Sequence, residues 1–238
     1  MSLFPENVRF VSTQRFMVGG QSSGNLSNFN LALHVNDILE NVLSNRKILK
    51  NYYHLPSEPV WINQTHSSIC INADSINSIV EADASFTSKS GVVCGIMTAD
   101  CLPVFVSKKD GSMVGLAHAG WRGLISGVVD NLIEAFESQG HEMVVHLGPA
   151  ISMSFFEVGE EVRSLYLSRN NKFSRAFTIT NNKIYLDLYE AARVILESFG
   201  ISSISGANRC TFKESNQFFS YRRDGENSGR MAHLIWMK

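Results

Sequence analysis

The sequence predicts one α+β domain built on a mixed sheet. Three observations carry this: apolar runs of strand length alternate with helical patterns, a hairpin signal links two of the runs, and nothing marks a domain boundary. At 238 residues the chain is long for one domain, yet α/β and β-rich domains of that size are ordinary. Hydrophobic residues make up 44% and charged residues 18%, a balance that favours a packed core over disorder. Hairpins imply antiparallel pairing, so a mixed sheet fits better than a purely parallel one.

The elements follow in order along the chain. In NDILENVLSNRKIL (36–49), Ile38, Leu39, Val42, Leu43 and Leu49 fall on one helical face, with Asn36 or Asp37 as the N-cap. Arg46 interrupts that stripe. Its guanidinium needs a carboxylate, a carbonyl or an anionic ligand, so it is either a structural arginine or an anion site. Residues 92–97 read as a strand. LPVFV, the Lys109-Asp110-Gly111 turn and SMVGLAHA then read as a hairpin, because Asp-Gly readily supplies tight-turn conformations. After the loop AGWRG, the spacing of Leu124, Ile125, Val128, Val129, Leu132, Ile133 and Phe136 predicts a helix that Gly140 stops, and MVVHL resumes as a strand. The polar stretch 164–182 reads as a surface excursion. A further helix is expected over 187–199, closed by Gly200, and FFSYRR with RMAHLIWM reads as a terminal hairpin turning at DGENSG.

Charge and cysteine content exclude several function classes. The 21 basic and 22 acidic side chains leave a net charge of −1, so no overall positive field attracts nucleic acid. No apolar run reaches membrane-spanning length, and MSLFPENVRF carries Pro5, Glu6 and Arg9 where a signal peptide needs an unbroken apolar stretch; a cytoplasmic protein without membrane partners is expected. Four cysteines without a C-x-x-C pair suggest neither a disulfide framework nor a zinc ribbon. Cys94 and Cys70 read as small core residues.

Cys101 and His118 invite a chemical reading. His118 ends a strand ahead of a glycine-flanked turn, where backbone and helix-start amides can approach a ligand. Cys101 sits in TADCLP, between two apolar strands, where Asp100 and Pro103 interrupt the ladder. Pairing of the hairpin strands brings these two residues together. His66, in NQTHSS, would by itself usually be a surface or hydrogen-bonded histidine. One thiolate and two imidazoles suit zinc and leave a fourth position for water or substrate, although the three residues match no local zinc motif.

The strings NQTHSS, TADCLPVFV, HAGWRG, LGPAIS with FEVGEEV, YLDL and FFSYRRDGENSGRMAHLIW together resemble the laccase-domain family, also named multicopper polyphenol oxidoreductase or peptidoglycan editing factor. The resemblance covers nearly the whole chain. It implies a layered α/β/β/α arrangement around a β-sandwich and a zinc site formed by His66, Cys101 and His118. It further implies phosphorolysis of adenosine, inosine, guanosine and methylthioadenosine with inorganic phosphate as co-substrate, and adenosine deamination as a second activity. Ser67 stands where the family more often has glycine. The older name points to copper, an alternative ion in vitro, but the seven histidines lie scattered at 34, 54, 66, 118, 141, 146 and 233 without the short clusters that multicopper sites need.

Within this expectation Asp100 is the proton shuttle or a turn cap, and Arg46, supported by Arg122 at the helix start, holds phosphate. Arg222 and Arg223 either pair with acidic neighbours or contribute to that site. Gln64 and Asn63 either bind a purine edge or orient the His66 loop. The expected protein is a monomer acting on a small-molecule nucleoside and phosphate. Two rivals stand beside it: a metal-free Cys/His amide hydrolase that edits peptidoglycan precursors, and a non-enzymatic binding protein. Cytidine-deaminase chemistry lacks its P-C-x-x-C ligand pair.

Overall fold

The structure, a computed structural model, describes residues 3–238. The first half contains β1 (Val8–Ser12), α1 (Leu39–Tyr52), β2 (Val60–Trp61), β3 (Cys70–Asn72), β4 (Ala84–Thr87), β5 (Val93–Thr98), β6 (Leu102–Lys108) and β7 (Val114–Ala119). Next come α2 (Trp121–Ser126), α3 (Val128–Glu134), β8 (Met143–Leu147), β9 (Glu157–Val158), α4 (Glu160–Arg169), β10 (Phe177–Thr180) and β11 (Lys183–Leu186). The chain closes with α5 (Leu188–Ser198), β12 (Ile204–Gly206), α6 (Tyr221–Asp224) and β13 (Met231–Met237).

Two mixed sheets dominate. One is six-stranded, in the order β12-β8-β6-β7-β4-β3, and the other four-stranded, in the order β1-β13-β5-β2. Their centres are antiparallel, whereas β12 on β8, β3 on β4 and β2 on β5 run parallel. The period-2 alternation of strands sorts the apolar residues into layers. On β6 and β7, Phe105, Val114 and Leu116 join Cys94, Ile96 and Ile235 of the second sheet in the sandwich interior. The alternate residues Val104, Val106 and Ala117 pack instead on α3 and α5 through Leu132, Ile133, Val194 and Ile195. The outer face of the second sheet is covered by Phe29, Leu31 and Leu49 of α1. The result is the expected α/β/β/α order, with a separate three-stranded sheet in the order β10-β11-β9. Among the described residues no helix is long and apolar enough to cross a membrane.

Four sequence expectations need correction. The first helix begins at Leu39, and its buried side is Val42, Asn45 and Leu49, while Ile38, Leu39 and Leu43 are exposed. A polar residue fixes that face: the Asn45 amide donates to the Ser22 hydroxyl and the Asn30 carbonyl, and its oxygen accepts from the Gln21 N–H. Asp37 does not cap the helix by its expected geometry; its carboxylate accepts from the adjacent Ile38 N–H, from Ser22 and from Asn30. The second helix is broken at Gly127, which adopts φ 94° and separates α2 from α3. The terminal hairpin does not form, because Tyr221–Asp224 turns into a short helix and β13 pairs with β1 and β5. The 164–182 excursion likewise contains the end of α4, a 3-10 turn and β10.

The hairpin of β6 and β7 forms as expected, with Pro103 opposite His118 and Leu102 opposite Ala119. This register places Cys101 beside His118 at one end of the sandwich. The end of β5 and the start of β13 meet there too, since Thr98 pairs with Met231.

Candidate metal centre

Asp83 organises the site. It is fully buried just ahead of β4, and its backbone carbonyl accepts the His118 N–H at 2.7 Å. One carboxylate oxygen meets His118 Nδ1 at 2.7 Å. The other accepts from the Ser67 N–H at 2.6 Å, the Ser67 hydroxyl at 2.7 Å and the Thr65 N–H at 3.2 Å. Burial pushes this carboxyl upward, but the bonds and charge of His118 and the Ser67 donors outweigh it and hold the group below its ordinary value. A single anion thereby fixes the ring of His118 and both residues flanking His66. His66 itself adopts φ 61°, a left-handed conformation that costs a non-glycine residue about 1 kcal/mol or more, and the flanking bonds hold it there.

With Nδ1 engaged by Asp83, His118 offers Nε2 to the cavity. Cys101 Sγ lies 3.7 Å from His66 Nε2, the His66 and His118 rings are 4.8 Å apart, and ligand atoms of all three residues lie within 4.8 Å of one another. Ligands of a tetrahedral zinc at about 2.0–2.3 Å sit about 3.3–3.8 Å apart. The trio therefore closes onto one ion with shifts of about 1 Å, and the donor set of one thiolate and two imidazoles is what zinc prefers. Burial raises the Cys101 thiol, but His118 and His66 outweigh it and bring the group down to about 6. His118 moves upward against its own burial, through the charges and bonds of Cys101 and Asp83. Cys70 and Cys94 move the other way, raised by burial to about 12, as expected for core thiols.

Gly120 leaves room for this arrangement. A methyl group there would lie 2.8 Å from Cys101 Sγ and 3.1 Å from the His66 ring, which gives the glycine of HAGWRG a steric reason.

The trio lines a cavity of about 520 Å³. Trp121, Phe156, Ile151 and Leu188 supply apolar wall, and Arg122, Arg222 and Arg230 supply positive charge. Of the residues singled out from sequence, Asp100 reaches the wall with both carboxylate oxygens committed. They accept from the Thr211 hydroxyl at 2.5 Å, the Ser220 hydroxyl at 3.0 Å and the Arg222 N–H at 2.7 Å. It also has φ 95°. It braces the C-terminal segment against the Cys101 turn, closer to a structural cap than to a free proton carrier.

Arg122 lines the cavity, stacked 4.3 Å over Trp121. Arg46 stands outside the cavity lining: its Nε donates to the Leu31 carbonyl at 2.9 Å and its guanidinium lies 4.8 Å from the Trp61 ring. Arg223 is structural, paired with Asp224 and bonded to the carbonyls of Thr211, Phe212 and Phe218. Gln64 clips both backbone groups of Met97 on β5, at 2.7 and 2.8 Å. Sequence reasoning missed Asp83 and Arg230. The available signal for Asp83 was a charged residue between two alanines at the start of a strand; Arg230 carried none.

Fold and site together define a mixed α/β sandwich with a His-Cys-His group able to hold a metal ion at the wall of a cavity. The chain belongs to the multi-copper polyphenol oxidoreductase laccase family, whose family model matches residues 9–238. Among its relatives, the purine nucleoside phosphorylase YfiH of Escherichia coli K12 is 40% identical over 98% of this chain and 95% of its own. The purine nucleoside phosphorylase of Haemophilus influenzae is 38% identical over 98% and 96%. Among solved structures, Neisseria meningitidis protein NMB0706 matches with TM-score 0.94 and 42% identity, covering 100% of this chain and 97% of that one. YlmD from Geobacillus stearothermophilus matches with TM-score 0.90 and 28% identity, covering 98% and 93%.

Proposed function

We propose that this protein is a zinc-dependent purine nucleoside phosphorylase, with adenosine deamination as a second activity of the same centre. The observation that carries this reading is the convergence of His66, Cys101 and His118 at the wall of a cavity of nucleoside dimensions. The naming of relatives that align over almost the whole chain supports the reaction class.

In phosphorolysis a phosphate oxygen forms a bond to C1′ of the ribose as the C1′–N9 bond breaks. The electron pair leaves with the purine, and the proton given up by the phosphate ends on the released base. A zinc ion held by the trio supplies Lewis-acid stabilisation of developing negative charge. The chain does the rest. Asp83 holds the His118 proton on Nδ1, so that Nε2 is the free donor atom. Trp121 and Phe156 offer apolar ring faces to a flat base and exclude water from it. Arg122, on the cavity wall, is the candidate to carry phosphate charge, whereas Arg46, engaged with Leu31 and Trp61, acts as a packing arginine.

The test is incubation of zinc-loaded protein with inosine or adenosine and phosphate, with and without Cys101→Ala. Free base and ribose 1-phosphate from the parent protein, lost in the variant, support the reading; turnover unaffected by the substitution overturns it.

A second reading has its own observation. Asp83, His118 and Cys101 lie in the order of an acid–base–nucleophile triad, with the thiol drawn down by His118. A metal-free amide hydrolase acting on a cell-wall precursor would use that order. It requires a zinc-free protein inactivated by thiol alkylation, whereas the zinc reading requires near-stoichiometric metal and protection of the thiol.

A further inference from the structure

Arg122, Arg222 and Arg230 all border the cavity, and among the described residues no carboxylate forms an ion pair with any of them, while Arg169, Arg175, Arg209 and Arg223 elsewhere are so paired. Each of the three is held by a ring face and not by an acid. Arg122 lies over Trp121 at 4.3 Å, Arg222 over Phe156 at 5.1 Å and Arg230 over Tyr221 at 5.7 Å. Stacking fixes the guanidinium plane; the Arg222 edge already donates to the carbonyls of Phe155 at 3.1 Å and of Glu157 at 3.4 and 3.3 Å, whereas Arg122 and Arg230 keep edge donors for a planar fork contact.

Arg230 is the most constrained. Its Nη1 donates to the carbonyls of Ser228 at 2.6 Å and Gly229 at 3.1 Å, and among the described residues no acceptor meets Nε or Nη2. Arg230 directly precedes Met231, which pairs with Thr98 at the end of β5 just ahead of the Cys101 turn, so it stands on the same side of the cavity as His66, Cys101 and His118. Asp100 does not neutralise it, because that carboxylate is already filled by Thr211, Ser220 and Arg222. A half-buried guanidinium without a counterion carries a desolvation cost that an anionic ligand offsets.

Three cations facing one cavity fit a dianion that presents oxygens in several directions better than a flat carboxylate. We propose that Arg230, assisted by Arg222 and Arg122, is the receptor for inorganic phosphate, set beside the metal centre so that the phosphate oxygen and the nucleoside meet there. This rests on the phosphorylase reading and moves the phosphate site away from Arg46.

The experiment uses zinc-loaded full-length protein titrated with inorganic phosphate, followed by calorimetry and by steady-state phosphorolysis of inosine. Arg230→Met is expected to weaken phosphate binding at least tenfold and to raise the KM for phosphate by a similar factor, with the KM for inosine changed less than threefold. Arg230→Lys, which keeps the charge but not the fork, is expected to recover only part of the loss. Arg175→Met, at an exposed ion pair remote in sequence from the cavity wall, is expected to match the parent protein. Zinc content and near-ultraviolet circular dichroism establish that the variants are folded. Parent-like phosphate affinity in folded Arg230→Met overturns the proposal, as does a parent protein that binds no phosphate. Inosine 5′-monophosphate that binds through Arg230 more tightly than phosphate, and displaces it, overturns the assignment to free phosphate. Arg230-dependent phosphate binding without any phosphorolysis would leave the receptor standing and remove the phosphorylase reading. Normal phosphorolysis with an unchanged phosphate KM in Arg230→Met would do the reverse.

Discussion

Gly120 leaves the metal centre so little room that its missing side chain is part of the site. Gly120→Ala places a methyl 2.8 Å from Cys101 Sγ, and the short cysteine side chain yields only by leaving its ligand position. Zinc affinity measured against a competing chelator is expected to fall about tenfold or more, with the fold retained. Asp83→Asn keeps the shape but removes the anion that fixes the His118 tautomer and the Thr65–Ser67 turn; loss of such an outer carboxylate costs about 10–100-fold in metal affinity. In metal-free protein iodoacetamide is expected to modify Cys101 ahead of Cys70 and Cys94, whose thiols burial raises to about 12, and zinc is expected to block that reaction. At this scale the sequence was informative where a residue sits in an unusual string. His66, Cys101 and His118 stand in NQTHSS, TADCLP and HAGWRG. Asp83 stood out only as a charged residue between two alanines because its role arises from a cross-strand neighbour, and Arg230 carried no signal because its significance is the lack of an ion-paired acid among the described residues.

The elements show where periodicity holds and where tertiary contacts override it. β6 and β7 were legible because strand alternation and the Asp-Gly turn agree, and their pairing delivered Cys101 to His118. The first helix was legible in its existence but not in its face, since apolar spacing favours Leu43 and the buried side contains Asn45. Leu49→Ala, fully buried, is expected to cost about 2–5 kcal/mol in urea unfolding, and the exposed Leu43→Ala to stay within about 0.5 kcal/mol. Equal effects at the two positions would contradict this orientation. Gly127 ended a helix that spacing alone would continue. Its φ of 94° makes Gly127→Ala destabilising by about 1 kcal/mol or more. The FFSYRR segment misled because apolar and aromatic residues there serve an irregular stretch tied down by Asp100, whose acceptors gather Thr211, Ser220 and Arg222.

For the whole molecule, two buried groups tie stability to pH on the acid side. His233 lies between Thr98 and Ser12 in the sandwich, bonded at 2.8 and 2.9 Å, and burial with the nearby charge of His118 lowers it to about 3. The unfolded chain protonates this ring near its ordinary 6.5. Its contribution is therefore fully present above that pH and is lost as pH falls toward 3. Asp83, also held below its ordinary value, adds a loss in the same direction at lower pH. Melting temperatures are expected to decline steadily from pH 7 to 4, and a flat profile would contradict the burial of neutral His233. A zinc ion bound only by the folded trio links to folding in the same way: at a hundred times its dissociation constant it is expected to raise stability by about 2.7 kcal/mol. The layered order was legible through the family resemblance, whereas the pairing of β5 with β13 inside the four-stranded sheet, which brings Thr98 and Arg230 to the cavity, is a long-range contact that no local pattern encodes. X-ray absorption of the zinc-loaded protein reads the convergence of His66, Cys101 and His118 on one ion. The expected spectrum contains one sulfur at about 2.3 Å with nitrogen or oxygen ligands at about 2.0–2.1 Å, and loses the sulfur shell in Cys101→Ala. A zinc site without sulfur, or one unchanged by that substitution, would contradict it.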